Sequence, residues 1–285
     1  MNPLASVICV SFNHARFVLE TLESVRNQTY ANVELIIVDD GSTDESASMI
    51  QTWVNKNPTA IFINYKQNIG YTKAFNQAFR MAKGEFYIDL AADDVLLPNR
   101  IEKGIEAFQK KGAEYAIQFG DANLIDVDGK PLGKHSDRFP HAQIPEGDLY
   151  VEVIHRYFIC SPTMLIRKSV VAALGGYDED LHYEDYDLWI RIGRNYKFLY
   201  LPDALMNRRI VPNSLGHQQF QRKSKQLEST FKVCEKILNL NRTKVEKQAL
   251  NKRIFYEFRQ NLRLLHLSLC LRYTGLLIKN VLKKL

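Results

Sequence analysis

Three pairs of adjacent acids stand out in the 285-residue sequence: Asp39-Asp40, Asp93-Asp94 and Glu184-Asp185. The first two close apolar runs, Leu35 to Val38 and Phe86 to Leu90. Carboxylates at such places are costly unless they are solvated, hydrogen-bonded or bound to something. Asp39 and Asp40 can accept hydrogen bonds from a base or a ribose hydroxyl; a turn followed by a helix cap uses the same residues. Asp93 and Asp94 have Asp89 upstream and no Lys or Arg before Arg100. They form an oxygen-rich site for a hard divalent cation, which would bridge substrate phosphates and keep several waters. A solvated loop capping the next helix is the alternative. Glu184 and Asp185 lie in an acidic cluster beginning at Asp178. Helix N-termini favour acids, yet a carboxylate there can also act as a general base on an acceptor hydroxyl. Tyr183, Tyr186 and Trp189 beside it offer flat faces of the kind that pack on pyranose rings.

Missing motifs narrow the chemistry. No Gly-x-Gly-x-x-Gly follows the run Val7 to Val10, and no P-loop occurs, so a dinucleotide held on a glycine-rich loop is not expected. The four cysteines, Cys9, Cys160, Cys234 and Cys270, have no metal-finger or redox spacing and read as reduced cytosolic thiols. Hydrophobic content of 46% with 25% charged residues is that of a globular chain. No apolar run reaches the roughly 18 residues of a bilayer span, and the N-terminus lacks the basic region of a signal peptide. The net charge of +6 is uneven. From Gln221 to Leu285 there are 16 Lys or Arg against 4 Asp or Glu, which leaves an acidic body with a basic tail. Such a tail points to an anionic partner.

The elements that must position these acids alternate. Val7 to Val10 reads as a buried strand, with Asn13 capping a helix that carries Phe17, Val18, Thr21, Leu22 and Val25 on one face. Leu35 to Val38 is a second strand. Ser42 and Glu45 have capping-box spacing, which predicts a helix from there to about Asn57. Ile61 to Tyr65 is a third strand, Thr72 to Lys83 a helix, and Phe86 to Leu90 a fourth strand leading into Asp93-Asp94. This alternation predicts an α/β fold with a doubly wound, mostly parallel sheet, whose ligands bind beyond the carboxyl ends of the strands. Later come a strand at Tyr115 to Phe119, a loop from Gly133 to Gly147, a helix near Leu149 to Phe158, a strand at Thr163 to Ile166 and a helical segment from Glu184 to Arg194. The chain is expected to divide into a catalytic domain over 1–219 and a basic α-helical appendage over 220–285.

Four blocks, in order, carry a resemblance. Val7 to Asn13 with Ile37 to Asp44, Asn68-Ile69-Gly70 with Ala74 and Asn76, Gly84-Glu85 leading to Ala91-Ala92-Asp93-Asp94, and Gly175 to Glu179 with Glu184 to Trp189 together resemble family 2 glycosyltransferases of the A-type (GT-A) fold. The likeness covers about residues 5–215. It implies a Rossmann-like nucleotide-binding half and an inverting transfer from a nucleotide-sugar donor, a UDP-sugar foremost, to a hydroxyl of a saccharide or lipid-linked saccharide in cell-surface polysaccharide synthesis. Ser11, Asn13, Asp39, Asp40, Gly41, Asn68, Lys73 and Asp93 would line the nucleotide site, with Asp39 accepting from the uracil ring. Asp93 and Asp94 would hold Mg²⁺ or Mn²⁺. Asp185 would be the catalytic base, with Glu184 and Trp189 on the acceptor side.

The departures are specific. Ala91 replaces the first acid of the metal motif, Phe75 stands where an arginine is frequent with Lys73 nearby, and Val211 falls where many members carry a metal-binding His, with His217 as a substitute. These keep open a catalytically silent sugar-nucleotide or glycan-binding module. No Q-x-x-R-W motif of processive synthases occurs, and single addition is expected. The basic tail carries an amphipathic pattern from Phe255 to Leu285, which fits peripheral attachment to the inner membrane face of a cytoplasmic protein. Packing of the apolar stripe on the catalytic domain or a second subunit is the alternative. Nucleic-acid binding is not expected, for no aromatic residues are interleaved with the basic ones on a sheet.

Overall fold

The computed structural model describes residues 2–139, 143–212, 214, 221 and 224–284, and the chain forms two compact units. The first comprises Met1–Gly147, Ile159–Gly176 and Lys197–Ile210. Its sheet starts with strands β1 (Ala5–Ser11), β2 (Val33–Asp39), β3 (Ile61–Asn64) and β4 (Phe86–Ala91). They pair in parallel in the order β3-β2-β1-β4. Both faces are covered, which is why β1 is buried at all seven positions and reads as a continuous apolar run.

Alternate residues serve the two faces. Val7 and Cys9 of β1 and Ile88 and Leu90 of β4 pack with helices α1 (Val18–Arg26), α2 (Ser46–Lys56) and α4 (Arg100–Gln109) through Leu22, Ile50 and Ile105. On the other face Tyr87 meets Phe75 and Phe79 of α3 (Tyr71–Met81), with ring centroids 5.7 and 5.1 Å apart. Phe75, at the frequent arginine position, is therefore a core residue. The doubly wound half expected from the alternation is present.

Beyond β4 the sheet becomes mixed. A short strand β8 (Leu165–Arg167) lies antiparallel between β4 and β6 (Tyr115–Ile125), and β6 runs parallel to the 13-residue β9 (Lys197–Arg209). Strand β7 (Pro131–Lys134) forms a hairpin with β6, and only its last two residues, Gly133 and Lys134, overlap the segment expected to be a loop. The two-residue β5 (Val95–Leu96) pairs antiparallel with the end of β9, Val95 opposite Asn207. That last pairing sets the site, because it lays Arg208 and Arg209 beside the loop after β4.

Two helix starts differ from the sequence expectation. Helix α1 begins at Val18 and α2 at Ser46, and neither Asn13 nor Ser42 caps them. Asn13 sits in the left-handed region, φ 57°, and both side chains bond across loops instead.

The second unit comprises Asp148–Phe158, Tyr177–Tyr196 and Val211–Leu285. It takes in more chain than an appendage over 220–285, and the expected boundary at 219/220 lies outside the described residues. Helices α5 (Tyr150–His155) and α7 (Glu184–Gly193) group here with α8 (Lys225–Leu240), α9 (Lys244–Arg263) and α10 (Leu267–Leu282), while α6 (Lys168–Ala173) belongs to the first unit. A capping box starts α9: the Thr243 hydroxyl accepts from the Glu246 N–H, and the Glu246 carboxylate accepts from the Thr243 N–H, both at 3.2 Å. Among the described residues no helix is long and apolar enough to cross a membrane.

Candidate active site

The carboxyl ends of β1 and β2 lie side by side, with Ser11 in register with Asp39. Both residues are buried. Asp39 accepts from the Ser42 N–H at 2.8 Å and from the Ser42 hydroxyl at 2.6 Å. Each oxygen keeps a further lone pair for a ligand N–H or O–H. The Ser11 hydroxyl has no hydrogen-bond partner among the described residues. Asn13 closes the adjoining loops, its side-chain oxygen accepting from the Thr43 N–H and its own N–H donating to the Ser42 hydroxyl, each at 2.8 Å. Asn13 and Ser42, read from the sequence as helix caps, thus hold the β1 and β2 loops together.

Asp40 has a different task. Its two oxygens accept from the Ile69 and Gly70 N–H groups at 2.8 and 3.1 Å. Burial raises its carboxyl above the ordinary value, against the lowering effect of those two donors. Asp40 therefore clamps the loop that carries Asn68. Gly41 permits the clamp: at φ 73° it leaves space in which a Cβ would come within 2.4 Å of the Gln67 carbonyl carbon. Asn68 and Lys73 are exposed, Lys73 on the first turn of α3.

The loop after β4 separates Asp93 from Asp94. Asp93 is partly exposed, and its carboxylate lies 4.0 Å from Nε2 of His14. Asp94 is buried, and its Oδ1 accepts from the Arg209 N–H at 2.8 Å. Burial, reinforced by the Asp93 charge, pushes its carboxyl up to about 8. Arg209 fixes the same loop further. Its guanidinium donates to the Asp93 carbonyl at 3.0 Å, to the Asp126 carbonyl at 3.1 Å and to Glu20 at 2.6 Å, and it lies over the Phe17 ring. The expected pair of metal ligands is thus two groups with different roles: Asp94 latches β9, and Asp93 faces outward.

The donor set fits a cation held lightly. Among the described residues no three His, Cys, Asp or Glu side chains converge as a metal cage. Asp93, with oxygens from a bound diphosphate and water, suits Mg²⁺ or Mn²⁺, which need only one or two protein carboxylates. The Val211 side chain offers no donor atom, and His217 lies outside the described residues. Sequence reasoning gave Arg209 no role; two arginines ending a long strand after the acceptor block were the signal. A cavity of about 470 Å³ lies elsewhere, lined by residues of α1 and α2 such as Glu23, Ser48 and Trp53, and contains none of these groups.

In the second unit the acids of the fourth block also divide. Asp187 is fully buried and accepts from Lys236 and Arg191, both at 2.6 Å. Lys236 also reaches Asp178 at 2.6 Å. These two acids tie α7 to α8. Glu184 and Asp185 are half-buried in the first turn of α7, where the helix dipole favours a carboxylate. Of the three aromatics expected to face a sugar, Tyr186 and Trp189 are buried. Tyr186 donates to the Ile154 carbonyl at 2.9 Å, and Trp189 meets Tyr183 edge-on at 6.4 Å. Only Tyr183 of the three is half-exposed, so Trp189 acts as a support beneath it.

The parallel order β3-β2-β1-β4, with acids at the carboxyl ends of its strands, is that of a doubly wound α/β fold whose ligands bind beyond those ends. The profile described as glycosyl transferase family 2 matches residues 6–175, and the chain belongs to this family. It is 31% identical over 212 residues to an uncharacterized glycosyltransferase of Rickettsia prowazekii, covering 73% of this chain and 64% of that protein. The chain thus spans a little under two thirds of the length of the first curated relatives it matches. Its fold is that of S. aureus TarS in complex with UDP-GlcNAc, with a TM-score of 0.71 at 18% identity over 97% of this chain and 79% of that one. The mannosyltransferase PcManGT from Pyrobaculum calidifontis, in complex with GDP-Man and Mn²⁺, aligns with a TM-score of 0.65 at 15% identity, covering 99% and 85%. The fold is GT-A.

Proposed function

We propose that the protein is an inverting glycosyltransferase that moves a hexosyl or N-acetylhexosaminyl group from a nucleotide-sugar, a UDP-sugar foremost, to a hydroxyl of a saccharide or lipid-linked saccharide in cell-surface polysaccharide synthesis. The observation that carries this reading is the convergence of three loops at the strand ends: Asn13 bonds Thr43, Ser42 bonds Asp39, and His14 faces Asp93. Asp39 accepts from the base, Asp40 and Gly41 hold the Asn68 loop against it, and Lys73 contributes a cation near the phosphates. Asp93 would hold Mg²⁺ or Mn²⁺, which when bound would supply positive charge against the leaving diphosphate. Asp185 removes the proton of the acceptor hydroxyl as its oxygen attacks C1 from the face opposite the diphosphate. The placement of Asp185 in this scheme rests on its motif and on its position in the first turn of α7. The bound complexes of TarS and PcManGT support a nucleotide-sugar donor and a divalent ion.

Ala91 and the latched Asp94 favour one competing reading, a silent sugar-nucleotide or glycan binder. Donor binding is tested by thermal shift with UDP-, GDP- and dTDP-sugars, with Mn²⁺ and with EDTA. The expected result is stabilisation that needs both sugar nucleotide and Mn²⁺ and is lost in Asp93→Ala. Stabilisation by none of them would refute the donor site.

A further inference from the structure

One face of α10 takes no part in the chemistry above. Leu267, Leu271, Ile278 and Leu282 recur at i, i+4, i+11 and i+15, a single line along the helix. With Val281 beside them they are between 55% exposed (Ile278) and 74% exposed (Leu271). The opposite face, Leu269, Cys270, Tyr273, Leu276 and Asn280, is buried. Internal packing of the helix is therefore complete, and the outer stripe is additional apolar surface. Leu262, at the end of α9, and Leu265, in the turn before α10, are exposed as well. A contiguous apolar face of this kind marks an interaction surface.

Charge indicates what covers it. From 247 to 284 the only acid is Glu257, which is buried against Arg253. Lys252, Arg259, Arg263, Lys279 and Lys284 are exposed in the same stretch, while Arg272 is paired with Glu228. At helical spacing Lys279 borders the stripe. A second copy docked by two-fold symmetry would bring this cationic border against itself. A layer of lipid phosphates complements both features at once, accepting the apolar line at the acyl boundary and the cations at the headgroups.

We propose that this outer face of α10, with the turn before it, is an interfacial surface for an anionic membrane. It deepens the functional reading, on which it rests for its purpose, by placing the protein where a lipid-linked acceptor resides. The test is flotation of the full chain with vesicles of POPC containing about one quarter POPG, and with POPC alone. Flotation is expected with the anionic vesicles only, weakening as salt is raised. The double variant Leu271→Glu, Ile278→Glu should lose about tenfold or more of its vesicle binding. Both positions are exposed, so its melting temperature and its stabilisation by UDP with Mn²⁺ should match the parent. Three results would overturn the proposal: a parent that stays unbound with both vesicles, a double variant that floats like the parent, or a dimer dissolved by the double substitution without any flotation. UDP binding measured on the same samples separates failure of the membrane surface from failure of the donor site.

Discussion

Asp94 keeps one oxygen on the Arg209 N–H, while burial and the neighbouring Asp93 charge push its carboxyl up to about 8. Without divalent metal, the unfolded chain releases this proton near pH 4 (about the ordinary carboxylate value) and the folded chain near about 8. The folded state binds the extra proton in between, so the contribution of this group to stability falls as pH rises through that window and levels off above it. Asp94→Asn keeps an acceptor oxygen for Arg209 and removes the titration. In EDTA, the melting temperature of this variant should exceed the parent's increasingly from about pH 5 to about pH 8; parallel pH profiles would contradict it. A second contrast lies in α7. Asp187 is enclosed by Lys236 and Arg191, and Asp187→Ala removes the fully buried carboxylate they share, although Lys236 keeps Asp178; a loss of about 2 kcal/mol is expected in urea unfolding. Asp185, two residues earlier and half-buried, should tolerate Asn without a comparable loss.

At the level of elements, the constraint is Gly41. A Cβ there would press on the backbone of Gln67 and Asn68, and φ 73° is unfavourable for any L side chain. Gly41→Ala should cost about 2 kcal/mol and weaken UDP binding, both read by denaturation with and without nucleotide. The first four strands were legible because burial on both faces forces continuous apolar runs. The starts of α1 and α2 were not, because Asn13, Ser42 and Asp44 bond across loops, and such partners are invisible to a local capping rule. Strand β5, of two residues, is too short to show a period, whereas β8 overlaps the strand expected at Thr163 to Ile166. They exist because β9 and β6 supply partners far along the chain. Of the candidate site, the acids were visible as residue types: Asp39, Asp93 and Asp185 were singled out by the motif resemblance, and their roles stand as proposals. Their partners were not visible, since neither the Arg209 latch nor the Lys236 tie between Asp178 and Asp187 follows from spacing.

Across the whole molecule, the division of labour follows charge and compactness. The first unit carries the sheet and the acids at its strand ends, and the second carries α7 with the basic helices. The uneven charge read from the sequence belongs to this second unit, where 16 of the 38 Lys and Arg fall after residue 220. The four cysteines are buried free thiols and have no part in the proposed chemistry. The proposed chemistry is transfer from a nucleotide-sugar with Asp185 as the base. The most direct measurement is UDP release from the stabilising UDP-sugar, in Mn²⁺ with a mixture of saccharide acceptors, comparing the parent with Asp185→Asn. The parent should turn over, and kcat of the variant should fall by about 10² to 10⁴, with UDP binding and melting temperature unchanged. Equal turnover by the two proteins, or binding of UDP-sugar by the parent without any turnover, would contradict it.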